Sequence, residues 1–131
     1  MTHLRIAEAA ELLGVSTDTV RRWVDAGKVK AAGGPGALSV DAVDLARFAA
    51  DQAHTPDPGR AGEASVRNRL KGIVTRVVSD QVMSQVEIQA GPFRVVSLLS
   101  TEAVREMGLE VGSVAIASIK ATNVAVERAS R

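Results

Sequence analysis

The apolar positions change their period about halfway along the chain. From residue 6 to residue 52 they recur at helical spacing; from residue 70 onward β-branched residues alternate with polar ones and turns recur. Ile6–Leu13 places Ala9, Leu12 and Leu13 on one helical face, and Gly14 is a C-terminal stop. Ser16 is a good N-cap for a second helix, Thr17–Ala26, with Val20, Trp23 and Val24 inward and Gly27 ending it. Residues 28–38 hold three glycines and one proline, which predicts an irregular loop or a short hairpin. Ser39 is expected to cap a third helix from Val40 to about Gln52. Asp41 would lie near the positive end of its dipole, with Val43, Leu45, Ala46, Phe48 and Ala49 on its buried side.

In the second half, residues 70–78 predict a strand and residues 82–88 the next. The latter alternates Val82, Ser84, Val86 and Ile88 against Met83, Gln85 and Glu87. Gly91-Pro92 predicts a turn, residues 93–99 a third strand, and residues 101–107 a short helix closed by Gly108. Residues 114–119 and 124–127 are expected to be the last strands. Five short strands with one helix between the third and fourth suggest a small OB-like barrel. Between the halves, residues 54–64 are rich in Pro and Gly and carry no apolar periodicity, so they read as a linker. The expected organisation is therefore residues 1–53, a linker at 54–64, and residues 65–131, with no internal repeat.

Composition sharpens this picture. Hydrophobic residues make up 46% of the 131, but aromatics only 2%, so the cores are built from Val, Ile, Leu and Ala. Two small units with small side chains are marginally stable alone, and oligomerisation is one remedy. The absence of cysteine excludes disulfides, thiolate metal sites and cysteine nucleophiles. A formal charge of +1 provides no chain-wide field for nucleic acid, so any DNA binding must come from a local patch. No apolar run follows the first residues and none approaches the ~18 of a membrane span, so a cytoplasmic protein without a membrane partner is expected.

Residues 6–23 have the spacing of two short helices crossing steeply through a tight turn at Gly14-Val15. This stretch resembles the MerR/excisionase helix-turn-helix family, and Ala26-Gly27-Lys28-Val29 resembles that family's entry into its wing. The resemblance implies an α+β chain that opens with a three-helix, winged helix-turn-helix domain binding double-stranded DNA. The second helix would present Ser16, Thr17, Thr19, Arg21 and Arg22 to phosphates and base edges, joined by Lys28. The family's wing ordinarily carries Arg, His or Tyr. Here residues 31–38 offer none, and Lys28 and Lys30 are the basic residues nearby. Residues 1–60 hold seven basic and eight acidic side chains, a net of −1. Phosphate neutralisation supplies most affinity, so two or more copies are expected to act together.

Residues 65–74, Ser-Val-Arg-Asn-Arg-Leu-Lys-Gly-Ile-Val, resemble the opening motif of the molbindin (Mop/TOBE) family, Ser-x-Arg-Asn-x-Leu-x-Gly. Residues 95–100, the turn at 106–114 and the finish at 117–124 continue the likeness. It implies a site for molybdate or tungstate, with no organic cofactor and no direct metal ligand. Such tetrahedral dianions need hydroxyls, N–H groups and fixed positive charge. The contacting positions implied are Ser65, Arg67, Asn68, Ser97, Ser100, Lys120, Ala121 and Thr122. In this family the groups converge from different subunits, which implies a homo-oligomer (a hexamer or a dimer) with ligand at subunit interfaces. Many relatives have Ser where Ala121 stands; its backbone N–H remains a donor.

No catalytic set is visible. The two histidines, His3 and His54, fall near the start of the chain and in the linker, and no phosphate loop or carboxylate pair is present, so the chain reads as a non-enzyme. A molybdate- or tungstate-responsive transcriptional regulator is the leading expectation. The others are an oxyanion store whose helix-turn-helix is a docking or vestigial unit, and a β-module that binds no ligand.

Overall fold

A computed structural model describes residues 3–33, 38–53 and 66–129. The chain divides into two compact units, Met1–Thr55 and Pro56–Arg131. The stretch expected as a linker, residues 54–64, lies outside the described residues, as does Ser65.

The first unit runs β1 (His3–Arg5), α1 (Ile6–Leu13), α2 (Thr17–Asp25), β2 (Ala31–Ala32), β3 (Ser39–Asp41) and α3 (Ala42–Gln52). Gly14 ends α1 at φ 66, a left-handed conformation that costs glycine little. Ser16 caps α2, its Oγ accepting the Thr19 N–H at 3.1 Å. On either side of residues 34–37, which lie outside the described residues, β2 pairs with β3, and β3 pairs with β1 to give the order β1-β3-β2. This pairing moves the start of the third helix. Ser39 and Val40 are taken by the sheet, and Asp41 becomes the N-cap, its Oδ2 accepting the Asp44 N–H at 2.9 Å. The buried side of α3 is also narrower than expected: Leu45 and Phe48 are buried, while Val43 is 74% exposed. Trp23 packs its ring on Phe48, centroids 4.8 Å apart, so it ties α2 to the third helix. Eight buried side chains, among them Ile6, Val20, Val29, Val40 and Phe48, form one cluster.

The second unit runs β4 (Asn68–Ser79), β5 (Met83–Ala90), β6 (Phe93–Ser100), α4 (Thr101–Met107) and β7 (Val114–Ile119). These form one antiparallel sheet of order β6-β5-β4-β7. β4 changes partner along its length, pairing with β7 from Asn68 to Ile73 and with β5 from Ile73 to Ser79. A bulge between Val74 and Arg76 leaves Thr75 over, and its Oγ1 donates to the Glu87 carbonyl at 3.3 Å. At Gly72 the strands approach so closely that a Cβ would strike the Gln89 carbonyl, so glycine permits the curl. The hydroxyls of Ser79, Ser84 and Thr101 form a chain of contacts of 2.6 and 2.8 Å, and Thr101 donates to the Asp80 carbonyl at 2.9 Å, anchoring the start of α4. Four buried residues, Val74, Val86, Ile88 and Val104, make the core.

One expectation for this unit fails. Val124–Glu127 is not a strand: it follows a 3₁₀ turn, Ala121–Asn123, and has no regular structure, with Val126 90% exposed. Its alternation encodes a one-sided strand, yet no partner strand is present among the described residues. The five-stranded barrel is therefore a four-stranded curled sheet here. Glu87, which alternates with Val86 and Ile88 along β5, is also buried, because Arg76 and Arg94 close over its carboxylate from the neighbouring strands.

Candidate functional site

Two surfaces carry the expected chemistry, one in each unit. In the first, α2 places Ser16, Thr17, Thr19, Arg21 and Arg22 within three turns. Ser16 Oγ lies 2.9 Å from Thr19 Oγ1, and Arg22 Nη2 donates to Thr19 Oγ1 at 3.3 Å, so cap, threonine and arginine form one local chain. Arg21 faces Asp18 at 3.7 Å, an exposed ion pair that a phosphate can displace at little cost. Lys28 lies past the end of α2 and is exposed; its N–H donates to the Trp23 carbonyl at 2.9 Å. All six expected DNA-contacting residues thus lie on α2 or within three residues of its end.

A feature beside Lys28 lies outside the residues expected from the sequence. Asp44 of α3 accepts the Lys30 N–H at 2.7 Å through Oδ2 and the Arg47 guanidinium through Oδ1, at 3.1 Å from Nε and 2.9 Å from Nη2. Arg47 also donates to the Lys28 carbonyl at 3.4 Å. The Lys30 N–H, and then Arg47, hold the Asp44 carboxyl below the ordinary aspartate range, so it stays ionised. Its spacing of three from Arg47 is readable on a helix; its bond to Lys30, fourteen residues away, is not.

In the second unit the oxyanion residues fall into two groups. Asn68 opens β4 opposite Ile119, and its Nδ2 donates to the Ile119 carbonyl at 3.1 Å. Arg67 precedes it and is exposed; Lys120 follows Ile119, and Ala121 and Thr122 form the 3₁₀ turn. Asn123 N–H closes that turn's first bond on the Lys120 carbonyl at 2.9 Å, so the N–H groups of Ala121 and Thr122 are left for another acceptor. Five of the eight expected positions therefore meet at one end of the β4–β7 pair. Arg69 and Lys71, absent from the expected set, alternate with Asn68 and Leu70 along the same strand, on the face that carries Ser118. None of Arg67, Arg69, Lys71 and Lys120 has an ion-pair partner among the described residues, whereas Arg76 and Arg94 are both spent on Glu87.

Ser97 and Ser100 belong to β6, two strands away from β4. Ser97 lies within the strand and not after it, half-buried opposite Val86. It lines a cleft of about 480 Å³ bounded by both edges of the sheet, with Val95 and Leu99 of β6 and Ile116, Ser118 and Ile119 of β7. Ser100 ends β6 and caps α4, its Oγ accepting the Ala103 N–H at 3.0 Å. The cap occupies one lone pair and leaves the hydroxyl proton available. Among the described residues no group of three or more His, Cys, Asp or Glu side chains could hold a metal ion. The donors present are hydroxyl, amide, ammonium and guanidinium groups, a set that suits an anion.

Comparison with known proteins fits both surfaces. Residues 64–126 match the TOBE domain family, and residues 4–53 match a helix-turn-helix domain family. A Haemophilus influenzae protein named "Probable molybdenum-pterin-binding protein" is 46% identical over 63 residues, covering 47% of this chain and 91% of that protein. Among solved structures, MopII from Clostridium pasteurianum is 31% identical with a TM-score of 0.47, covering 50% of this chain and 100% of that one. A molybdate binding protein from Sporomusa ovata is 26% identical with a TM-score of 0.49, covering 50% of this chain and 98% of that one. With that much of a short relative covered at that identity, the chain belongs to the TOBE-domain (molbindin) family through its second half, and it carries a helix-turn-helix domain ahead of it.

Proposed function

We propose that the chain is a non-enzymatic transcriptional regulator whose DNA binding responds to molybdate or tungstate. The observation that carries this is the union of a helix-turn-helix match and a TOBE match on one chain. Residues 1–53 are taken as the DNA module and residues 65–131 as the ligand module. The ligand assignment draws on the Haemophilus influenzae relative, whose name contains molybdenum. That name also contains pterin, but the second unit's described residues hold a single aromatic ring, Phe93, 64% exposed, and so offer no stack for a pterin. The cations at Arg67 and Lys120 and the N–H groups of Ala121 and Thr122 favour a bare tetrahedral oxyanion held without an organic cofactor.

The same geometry supports assembly into a homo-oligomer, a dimer or a hexamer, with ligand at subunit interfaces. One chain sets Ser97 on β6 and the five donors at the β4–β7 end on opposite edges of an open cleft, which a second copy can close. The cleft between β6 and β7 is open, and residues 124–127 carry a strand pattern without a strand partner. Ligand binding only to the assembled form stabilises it by mass action, and assembled copies present several helix-turn-helix units to DNA at once. Such a regulator works in the cytoplasm; among the described residues no helix is long and apolar enough to cross a membrane.

A second reading, oxyanion storage with the helix-turn-helix as a docking or vestigial unit, is favoured by one observation: residues 1–60 carry a net −1. Gel shifts with molybdate, tungstate and sulfate decide between them. Regulation requires DNA binding that is steeply salt-dependent, changes with molybdate, and is abolished by Arg21→Ala with Arg22→Ala. Anion binding without DNA binding leaves storage.

A further inference from the structure

Between the end of α2 and β2, three residues alternate in exposure. Val29 is 1% exposed and belongs to the core, while Lys28 and Lys30 on either side of it are exposed. The chain bends at Lys28 and Val29 and turns the Val29 side chain inward, so the lysines on either side of it both remain on the surface. The backbone of this stretch is fastened to α3 at both lysines: the Lys28 carbonyl accepts from Arg47 at 3.4 Å, and the Lys30 N–H donates to Asp44 at 2.7 Å. The Lys30 carbonyl in turn accepts the Asp41 N–H at 3.1 Å. Asp44 is itself held by its backbone N–H on Asp41 Oδ2 at 2.9 Å, and only 13% of its side chain is exposed. Residues 31–33 and 38–41 contain no cation.

We propose that Asp44, steadied by Arg47, is the positioning residue of the DNA surface: it fixes Lys28 and Lys30 side by side so that both contact phosphate, in place of the cations that residues 31–38 lack. This rests on the DNA-binding reading above. The inference runs against simple charge counting. Asp44 is a carboxylate within reach of the DNA surface, and electrostatics alone says that removing it tightens DNA binding. Positioning says that removing it weakens DNA binding, because two lysines on an unfastened stretch lose their fixed place on the surface. The two effects have opposite signs.

The test is a double-mutant cycle in the full chain, with DNA affinity measured against salt concentration. Asp44→Ala is expected to weaken binding about tenfold and to lower the magnitude of the salt slope by roughly 1 to 2, as for lost phosphate contacts. Lys28→Gln with Lys30→Gln is expected to do the same, and Asp44→Ala added to that pair should change nothing further. Glu11→Gln, which removes one negative charge from an exposed site on α1, should leave binding unchanged or slightly tighter. Trp23 fluorescence reports whether each variant keeps its first unit folded; should Asp44→Ala lose it, Asp44→Asn, which keeps shape and one acceptor, replaces it in the cycle. Equal or tighter binding by a folded Asp44 variant, or additive losses in the triple variant, overturns the positioning role while leaving DNA binding in place. No salt-dependent binding by the parent chain overturns both.

Discussion

Residues 3–53 bury eight apolar side chains in one cluster, and a ring pair closes it. Residues 66–129, a longer stretch, gather only four into a cluster and leave a cleft of about 480 Å³ open between the two edges of the sheet. The second unit also exposes Ile73, Val82, Leu98, Val114 and Val126. The contrast separates a module that one chain completes from one whose apolar surface and polar donors are both left half-matched. A sheet with two free edges and few buried side chains among the described residues gains most from a second copy.

Four substitutions break or sharpen this contrast, in order of expected effect. Phe48→Ala removes the ring under Trp23 and the edge of the closed core; it should cost about 3–5 kcal/mol in the first unit. Trp23 is the only tryptophan, so its fluorescence reads that loss alone, and molybdate binding measured by calorimetry should survive. Gly72→Val should do the converse. With no room against the Gln89 carbonyl, the added side chain should cost about 3 kcal/mol in the sheet and abolish molybdate binding while Trp23 fluorescence is unchanged. Ser100 is smaller and more discriminating. Ser100→Ala should cost about 1 kcal/mol as a lost cap, whereas Ser100→Asp restores a cap. If Ser100 also faces the anion, the Asp variant will be stable and still lose molybdate.

The smallest effect is a pH dependence. The N–H groups of Met83 and Val82 hold the Asp80 carboxyl below the ordinary aspartate range. A carboxyl depressed in the folded state contributes stability above about pH 4, and that contribution is lost as pH falls through the folded value. Urea midpoints of the second unit should therefore decline below pH 4 in the parent and decline less in Asp80→Asn.

Local chemistry was legible in the sequence. Gly14, Ser16 and Gly108 mark helix ends that need only their neighbours, and α1 and α4 have the bounds their spacing predicts. Misreadings arose where distant pairing decides. Ser39 is a reasonable cap until β3 claims it for the sheet. Residues 124–127 alternate correctly for a strand, but alternation states which face is buried and not against what. The residue types of the expected oxyanion motif are legible along the chain, whereas the Asn68–Ile119 pairing that brings five of them to one end of the sheet is not. The Asp44–Lys30 bond joins two elements at a separation no periodicity reveals.

The most direct measurement is the fluorescence anisotropy of a labelled DNA duplex titrated with the full chain at fixed ionic strength, in molybdate and in equimolar sulfate. Molybdate, and not sulfate, should move the binding midpoint by about fivefold or more, the range of ordinary allosteric coupling. Midpoints that coincide in the two anions, for a chain that calorimetry shows to bind molybdate, would contradict regulation and leave storage as the function.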